Sequence, residues 1–226
     1  MKGYIKLIVV ISAGMIISGC NQINQYNHEV MRQSELVKMV RKLDREEVTK
    51  DTSNPFFFND DCKNVMYQGE FSLGEGVITK DINLSIKEVA QLKEGKLYEL
   101  KIQKDETLIK EGLDINRLDL GYFYVQADKI YRCTSSEENL KLLANNVLPK
   151  ESEIVCQNKP LKDRLNEEEK GWHHYIEVND NQIASHGYSN LVETGYYETF
   201  IWEKEGGLIA YRSGWGAGRD HIGLSL

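Results

Sequence analysis

WHHYIEVNDNQIASH, residues 172–186, decides how the fold is read. Aromatic, isoleucine and valine positions crowd its two arms, Trp172 to Val178 and Gln182 to His186. Between them Asn179-Asp180-Asn181 supplies turn chemistry, so the stretch predicts a β-hairpin. The pattern recurs at once: Gly195 to Trp202 and Leu208 to Arg212 flank Glu203-Lys204-Glu205-Gly206-Gly207. Hairpins of this kind bond along their edges and bury alternate side chains against another layer.

Upstream, Val65 to Phe71, Val77 to Thr79, Lys96 to Ile102, Gly121 to Val125 and Ile130 to Cys133 read as further strands. Gly74 and Gly76 mark one turn and Ala127-Asp128-Lys129 another. Helical signals interrupt them. Ser85 with Glu88 forms a capping-box pattern ahead of Ile86, Val89, Ala90 and Leu92, with Gly95 as a stop. Ser135 with Glu138 does the same ahead of Leu140, Leu142, Leu143 and Ala144, and Asn145-Asn146 and Pro149 end that helix. Val30, Val37, Val40 and Leu43 give an apolar stripe to a third helix over 29–50. Pro55 breaks helical character before Phe56-Phe57-Phe58, three aromatics expected to be buried. The expected fold is α+β: one domain over 51–226, a mainly antiparallel sheet, and two or three packed helices. The spacing leaves open whether the sheet is ordinary or curved into a half-barrel.

The amino terminus speaks to location. Lys2 and Lys6 precede a short apolar run from Leu7 to Ile17, and Ile17-Ser18-Gly19-Cys20 closes it. Such a run is too short for an ordinary membrane span and reads as an export signal over 1–19. Its ending resembles a bacterial lipobox. That resemblance covers the signal alone and implies diacylglycerol on Cys20, which becomes the first mature residue. Residues 20–28 then form a tether, and the expected location is extracytoplasmic, on a membrane. Each buried methylene is worth roughly 0.8 kcal/mol, and two acyl chains hold where one is marginal.

Loss of residues 1–19 removes two lysines and no acid, so the formal charge moves from −7 to −9. That balance argues against general nucleic-acid binding and against a polybasic membrane module. Cys62, Cys133 and Cys156 remain. Outside the cytoplasm a disulfide persists, and Cys133 with Cys156 is the better pair because each follows a strand-like segment. No two cysteines have zinc-knuckle spacing, so neither a metal nor any other cofactor is expected.

His173 and His174 are adjacent in a strand and should face opposite ways. His174 with His186 across the hairpin, joined by His221 if the C-terminal tail returns over the sheet and by Glu177 or Glu193, would make a transition-metal site chemically possible. Ser185 and Ser213 offer hydroxyls, with Asp180, Glu193 and Asp220 as carboxylates, but sequence proximity supplies neither a positioned base nor an oxyanion hole. Gly214-Trp215-Gly216-Ala217-Gly218-Arg219-Asp220 is the most distinctive local segment. Too little chain follows it to build a dinucleotide fold. Two readings stand: a structural loop ending a hairpin, or a contact made by Trp215, Arg219 and Asp220. Tyr188 and Trp202 join these as binding candidates, since exposed aromatics anchor proteins or stack on sugars. The sequence thus points to a non-enzymatic lipoprotein that binds a cell-envelope protein or glycan. A carrier of apolar ligands and a metal-dependent or serine hydrolase are the alternatives.

Overall fold

The computed structural model describes residues 53–59, 62–73, 76–166, 168–216 and 220–226. The chain divides into two compact units, 1–43 and 44–226, and every described residue belongs to the second. The lipobox with Cys20, the tether and the helix expected over 29–50 lie outside the described residues, as does Arg219.

Eleven strands make a single antiparallel sheet: β1 (Asn64–Leu73), β2 (Gly76–Gln91), β3 (Gly95–Ile102), β4 (Asp119–Gln126), β5 (Lys129–Cys133), β6 (Glu153–Gln157), β7 (Trp172–Val178), β8 (Gln182–Ser189), β9 (Tyr196–Glu203), β10 (Gly207–Trp215) and β11 (Asp220–Ser225). Their order is β6-β5-β4-β3-β2-β1-β11-β10-β9-β8-β7. The first and last strands therefore pair in the middle, with Phe71 opposite Ile222 and Gly69 opposite Leu224. The sheet curls into a nearly closed barrel whose seam lies between β6 and β7. The described residues of the connection, 158–166 and 168–171, run along that seam, and Leu161 exchanges both backbone hydrogen bonds with Ile176 of β7.

This corrects the expected α+β class. Among the described residues the helices are α1 (Glu106–Lys110), α2 (Glu137–Ala144) and a 3-10 turn, Ile115–Leu118. The helix expected after Ser85 is the second half of the sixteen-residue β2. A bulge between Glu88 and Ala90 shifts its register against β3 and buries Val89 and Ala90 in succession. Two buried neighbours break the period of two and imitate a helical stripe. The second expected helix is present as α2, capped by Ser136, whose hydroxyl accepts from the Asn139 N–H.

The interior is apolar and filled. Trp202, Phe123 and Phe200 cluster with ring centroids 5.9–6.4 Å apart. The turn before β1, closed by the Phe57 N–H on the Asn54 carbonyl at 3.0 Å, stops one end of the barrel. Phe57 lies 4.5 Å from the Tyr98 ring and 6.0 Å from Trp202, and Phe56 and Phe58 are buried as expected. Asn54 donates to the Gln126 carbonyl and Glu205 donates to that of Pro55, which ties the plug to the turns at this end. Gly207, at φ +78°, closes the β9–β10 turn against Phe58; a Cβ there would sit 2.5 Å from that ring.

Cys133 and Cys156 are free thiols, so the expected disulfide is absent. Cys133 pairs with Tyr122 on one side of β5, whereas Cys156 pairs with Ile130, three residues further along the strand. Burial pushes the Cys133 thiol up to about 11 and that of Cys156 higher still.

Candidate functional site

Inward positions change character along the barrel. On β9, Trp202 and Phe200 belong to the core, and the next inward residue is Glu198, only 4% exposed. On β5 the inward residue after Ile130 is Arg132. The two meet across the interior as an ion pair at 3.2 Å. Glu198 also accepts from the Tyr211 hydroxyl at 2.9 Å, and Arg132 donates through Nε to the Leu120 carbonyl at 2.9 Å. The guanidinium lies 6.0 Å from the centre of the Phe200 ring, so the charged layer rests directly on the apolar core. Burial works against the Arg132 charge, but Glu198, Tyr211 and Tyr196 outweigh it and hold its pKa above the ordinary value.

Outside this layer, toward the seam, is a cleft of about 760 Å³. Trp172, His174, Tyr196, Glu153 and Glu198 line it, with Arg132 at its base and Leu161 and Asp163 from the seam segment. Trp172 lies flat because β8 carries Gly187 beneath it; a Cβ there would come within 2.4 Å of the indole. The indole and the Tyr196 ring lie side by side, centroids 6.3 Å apart and planes 22° apart, and Tyr196 meets Trp215 edge-on at 5.6 Å. Burial raises the Glu153 carboxyl above its ordinary value, against the opposing pull of Arg132. Burial lowers His174, whose Nε2 is 3.0 Å from the Ser185 hydroxyl. A second cavity of about 1080 Å³ shares Arg132 and Thr134 with the cleft, but its remaining lining is amide, hydroxyl, lysine, aliphatic and the Asp119 carboxylate, without an aromatic face.

The seam segment is pinned on the outer face of β7. His173 is sealed, with Nδ1 on the Asp163 carboxylate, Nε2 on the Glu169 carbonyl, and its ring stacked on Tyr188 at 4.7 Å. Burial alone would lower the His173 pKa; Asp163 and the Glu169 carbonyl reverse that and raise it. Asp163 moves the other way. Its own burial opposes the shift, but the Leu165 N–H and His173 hold it below the usual carboxylate value.

The binding residues expected from sequence scatter. Trp202 is 0% exposed and belongs to the core, so it presents no surface for recognition. Tyr188 is 37% exposed and is occupied with His173. Trp215 is 46% exposed and stands outside the cleft's lining, touching it through its edge-on contact with Tyr196. Asp220 bonds Arg117 of the 3-10 turn, which also donates to the Ser213 carbonyl at 3.1 Å. This tie joins the β3–β4 connection to β10 and β11 and makes Asp220 a structural residue. His173 and His174 face opposite ways, as expected. His186 pairs with Tyr175, not His174, and His221 contacts Glu70 at 3.0 Å, so the histidines do not converge. Among the described residues no group of three metal-binding side chains forms. Ser185 is buried beneath His174, and Ser213 is buried beside Arg117.

Sequence reasoning missed Arg132, Glu198 and Glu153. A signal existed, since Arg132 falls in phase with Ile130, and Glu198 with Phe200 and Trp202. A charge on the core side of a strand requires a partner. In comparisons with known proteins, no family model, no curated protein and no solved structure matches this chain.

Proposed function

We propose that this chain is a non-enzymatic, lipid-anchored binding protein of the bacterial cell envelope, tethered through Cys20, whose seam cleft takes a polar ligand. The Arg132–Glu198 pair carries the reading: a buried, hydrogen-bonded ion pair forms the base of a cleft walled by Trp172 and Tyr196. Concave sites with a few convergent polar groups and flat aromatic walls are where small ligands bind. The apolar-carrier reading is weaker, because Phe57, Phe123, Phe200 and Trp202 occupy the space an acyl chain would need. A serine hydrolase is weaker too, because Ser185 is 2% exposed.

Two experiments test the two halves. The full chain, expressed in a bacterium with a clickable fatty acid, should take up label and partition with membranes, and Cys20→Ser should lose both. Label retained by Cys20→Ser overturns the anchor. For the cleft, the purified full chain is incubated with a low-molecular-weight envelope extract, repurified and weighed by native mass spectrometry. A non-covalent adduct should form and be lost in the Arg132→Met/Glu198→Gln double variant. No adduct, or the same adduct on the double variant, overturns the cleft.

A further inference from the structure

We propose that the seam cleft is a saccharide site, with Trp172, Tyr196 and Trp215 as its stacking surface and Arg132, Glu198 and Glu153 as its hydroxyl-binding base. The proposal rests on the reading of this cleft as the binding site and names its ligand class.

Charge balance comes first. Three cations and four carboxylates line the cleft. An anionic ligand would meet the carboxylates and a cationic ligand the guanidinium, each at the cost of burying like charges together. A hydroxyl both donates and accepts. It can therefore bridge an Arg132 N–H to a neighbouring carboxylate without opposing either charge. Arg132 has five N–H groups. Among the described residues, contacts to Leu120 and Glu198 engage its three nitrogens through one N–H each, leaving two N–H groups to a ligand. Glu153, its pKa raised by burial, offers a carboxyl that can donate as well as accept when protonated.

The aromatic surface supplies the other half. A pyranose presents C–H groups on a face and hydroxyls around its edge, so it suits a flat ring beside planar polar groups. Trp172 is held flat by Gly187, and its ring plane lies 22° from that of Tyr196. Trp215, beyond the cleft's lining, adds a third, half-exposed ring next to Tyr196, turned 66° from its plane. A run of three rings from the base of the cleft to open solvent fits a chain of sugars better than a single compact molecule. The volume of about 760 Å³ lies within the range that encloses a small organic ligand, so the cleft would hold the end of such a chain.

The test uses the full chain in detergent. It is screened on an array of neutral and N-acetylated oligosaccharides, including chitotetraose and cellotetraose. Hits are then titrated by tryptophan fluorescence. At least one should bind, with an affinity unchanged between low and high salt. Trp215→Ala should weaken binding roughly fivefold to tenfold, and Tyr196→Ala more. Trp215 is exposed, so its variant reports binding without threatening the fold. Absence of binding to every oligosaccharide, binding that collapses with salt, or binding indifferent to both variants overturns the proposal. If no sugar binds while the envelope extract still yields an adduct lost in the double variant, the saccharide class fails and the cleft stands. If neither is seen, both fail.

Discussion

Replacement of Arg132 by methionine should be among the most damaging single changes to the barrel. It leaves the Glu198 carboxylate, 4% exposed, facing the space that the guanidinium filled, with Tyr211 as its close donor. Removing one partner of a buried pair costs about 3–5 kcal/mol, because the remaining charge has lost water and gained nothing. The Arg132 side chain is 20% exposed, so water reaches part of the site and the lower half of that range applies. For a body of this size that amounts to a fall in Tm of roughly 6–15 °C. Glu198→Gln should also destabilise, since it strands the guanidinium. The Arg132→Met/Glu198→Gln double variant should recover at least half of the summed losses, because no unpaired charge remains and the glutamine carbonyl still accepts from Tyr211. Urea denaturation followed by tryptophan fluorescence measures all four corners of the cycle. A loss below about 1 kcal/mol for Arg132→Met, or a double variant that costs the full sum of the singles, would refute the claim that burial of this pair governs the site.

Three further outcomes follow from the same geometry. Gly187→Val forces Trp172 off the wall, since even a Cβ would approach to 2.4 Å, and should cost about 1–3 kcal/mol with a changed near-ultraviolet circular dichroism spectrum. Glu153 takes up its proton more readily in the folded protein than in the unfolded chain. Stability therefore falls as pH rises from the ordinary value of 4.5 through the folded one, and Glu153→Gln should flatten that part of a stability-against-pH curve. The His173–Asp163 contact works in a window. Asp163 contributes above its ordinary 3.8 and loses that contribution as pH falls through its lowered folded value; His173 contributes below its ordinary 6.5 and loses it as pH rises through its raised one. Hydrogen exchange of residues 158–171, corrected for intrinsic rates, should be slower at pH 5.5 than at pH 8.5, and Asp163→Asn should erase the difference.

The hairpins were legible because their information is local. Asn179-Asp180-Asn181 and Glu205-Gly206-Gly207 announce turns, and the segments beside them alternate. Phe56-Phe57-Phe58 could be read as buried from side-chain character alone. The helix expected after Ser85 failed for an equally local reason, since one bulge changed the phase of β2 and the altered phase looked helical. The joining of the sheet's two halves was not legible. It depends on β1 meeting β11, and no periodicity within either strand reports its partner. The candidate site was hidden by the same distance. Arg132 and Glu198 are 66 residues apart, and Arg117 and Asp220 are 103 apart. Sequence could flag each charge as sitting on a core face, but only the register of the whole sheet matches one to the other.

The pairing of β1 with β11 also fixes an order of events. Each half of the sheet can form as a local meander, β1 to β6 and β7 to β11, yet the halves join only when residues 220–225 exist. Until then β1 is a bare edge, available to any passing strand. The ladder that completes the fold spans almost the whole described chain and carries the largest closure entropy. A circular permutant joining Leu226 to Ser53 by a short linker, and opened between Gln157 and Leu161, would reverse this. Every ladder would then connect strands adjacent in sequence, and the last residue made would lie at the seam instead of at the centre. Such a rewired chain should fold faster than the natural one, since folding speed follows the sequence separation of contacts. In the natural order, a chain cut short by a few residues would lose the centre of its sheet, not its margin.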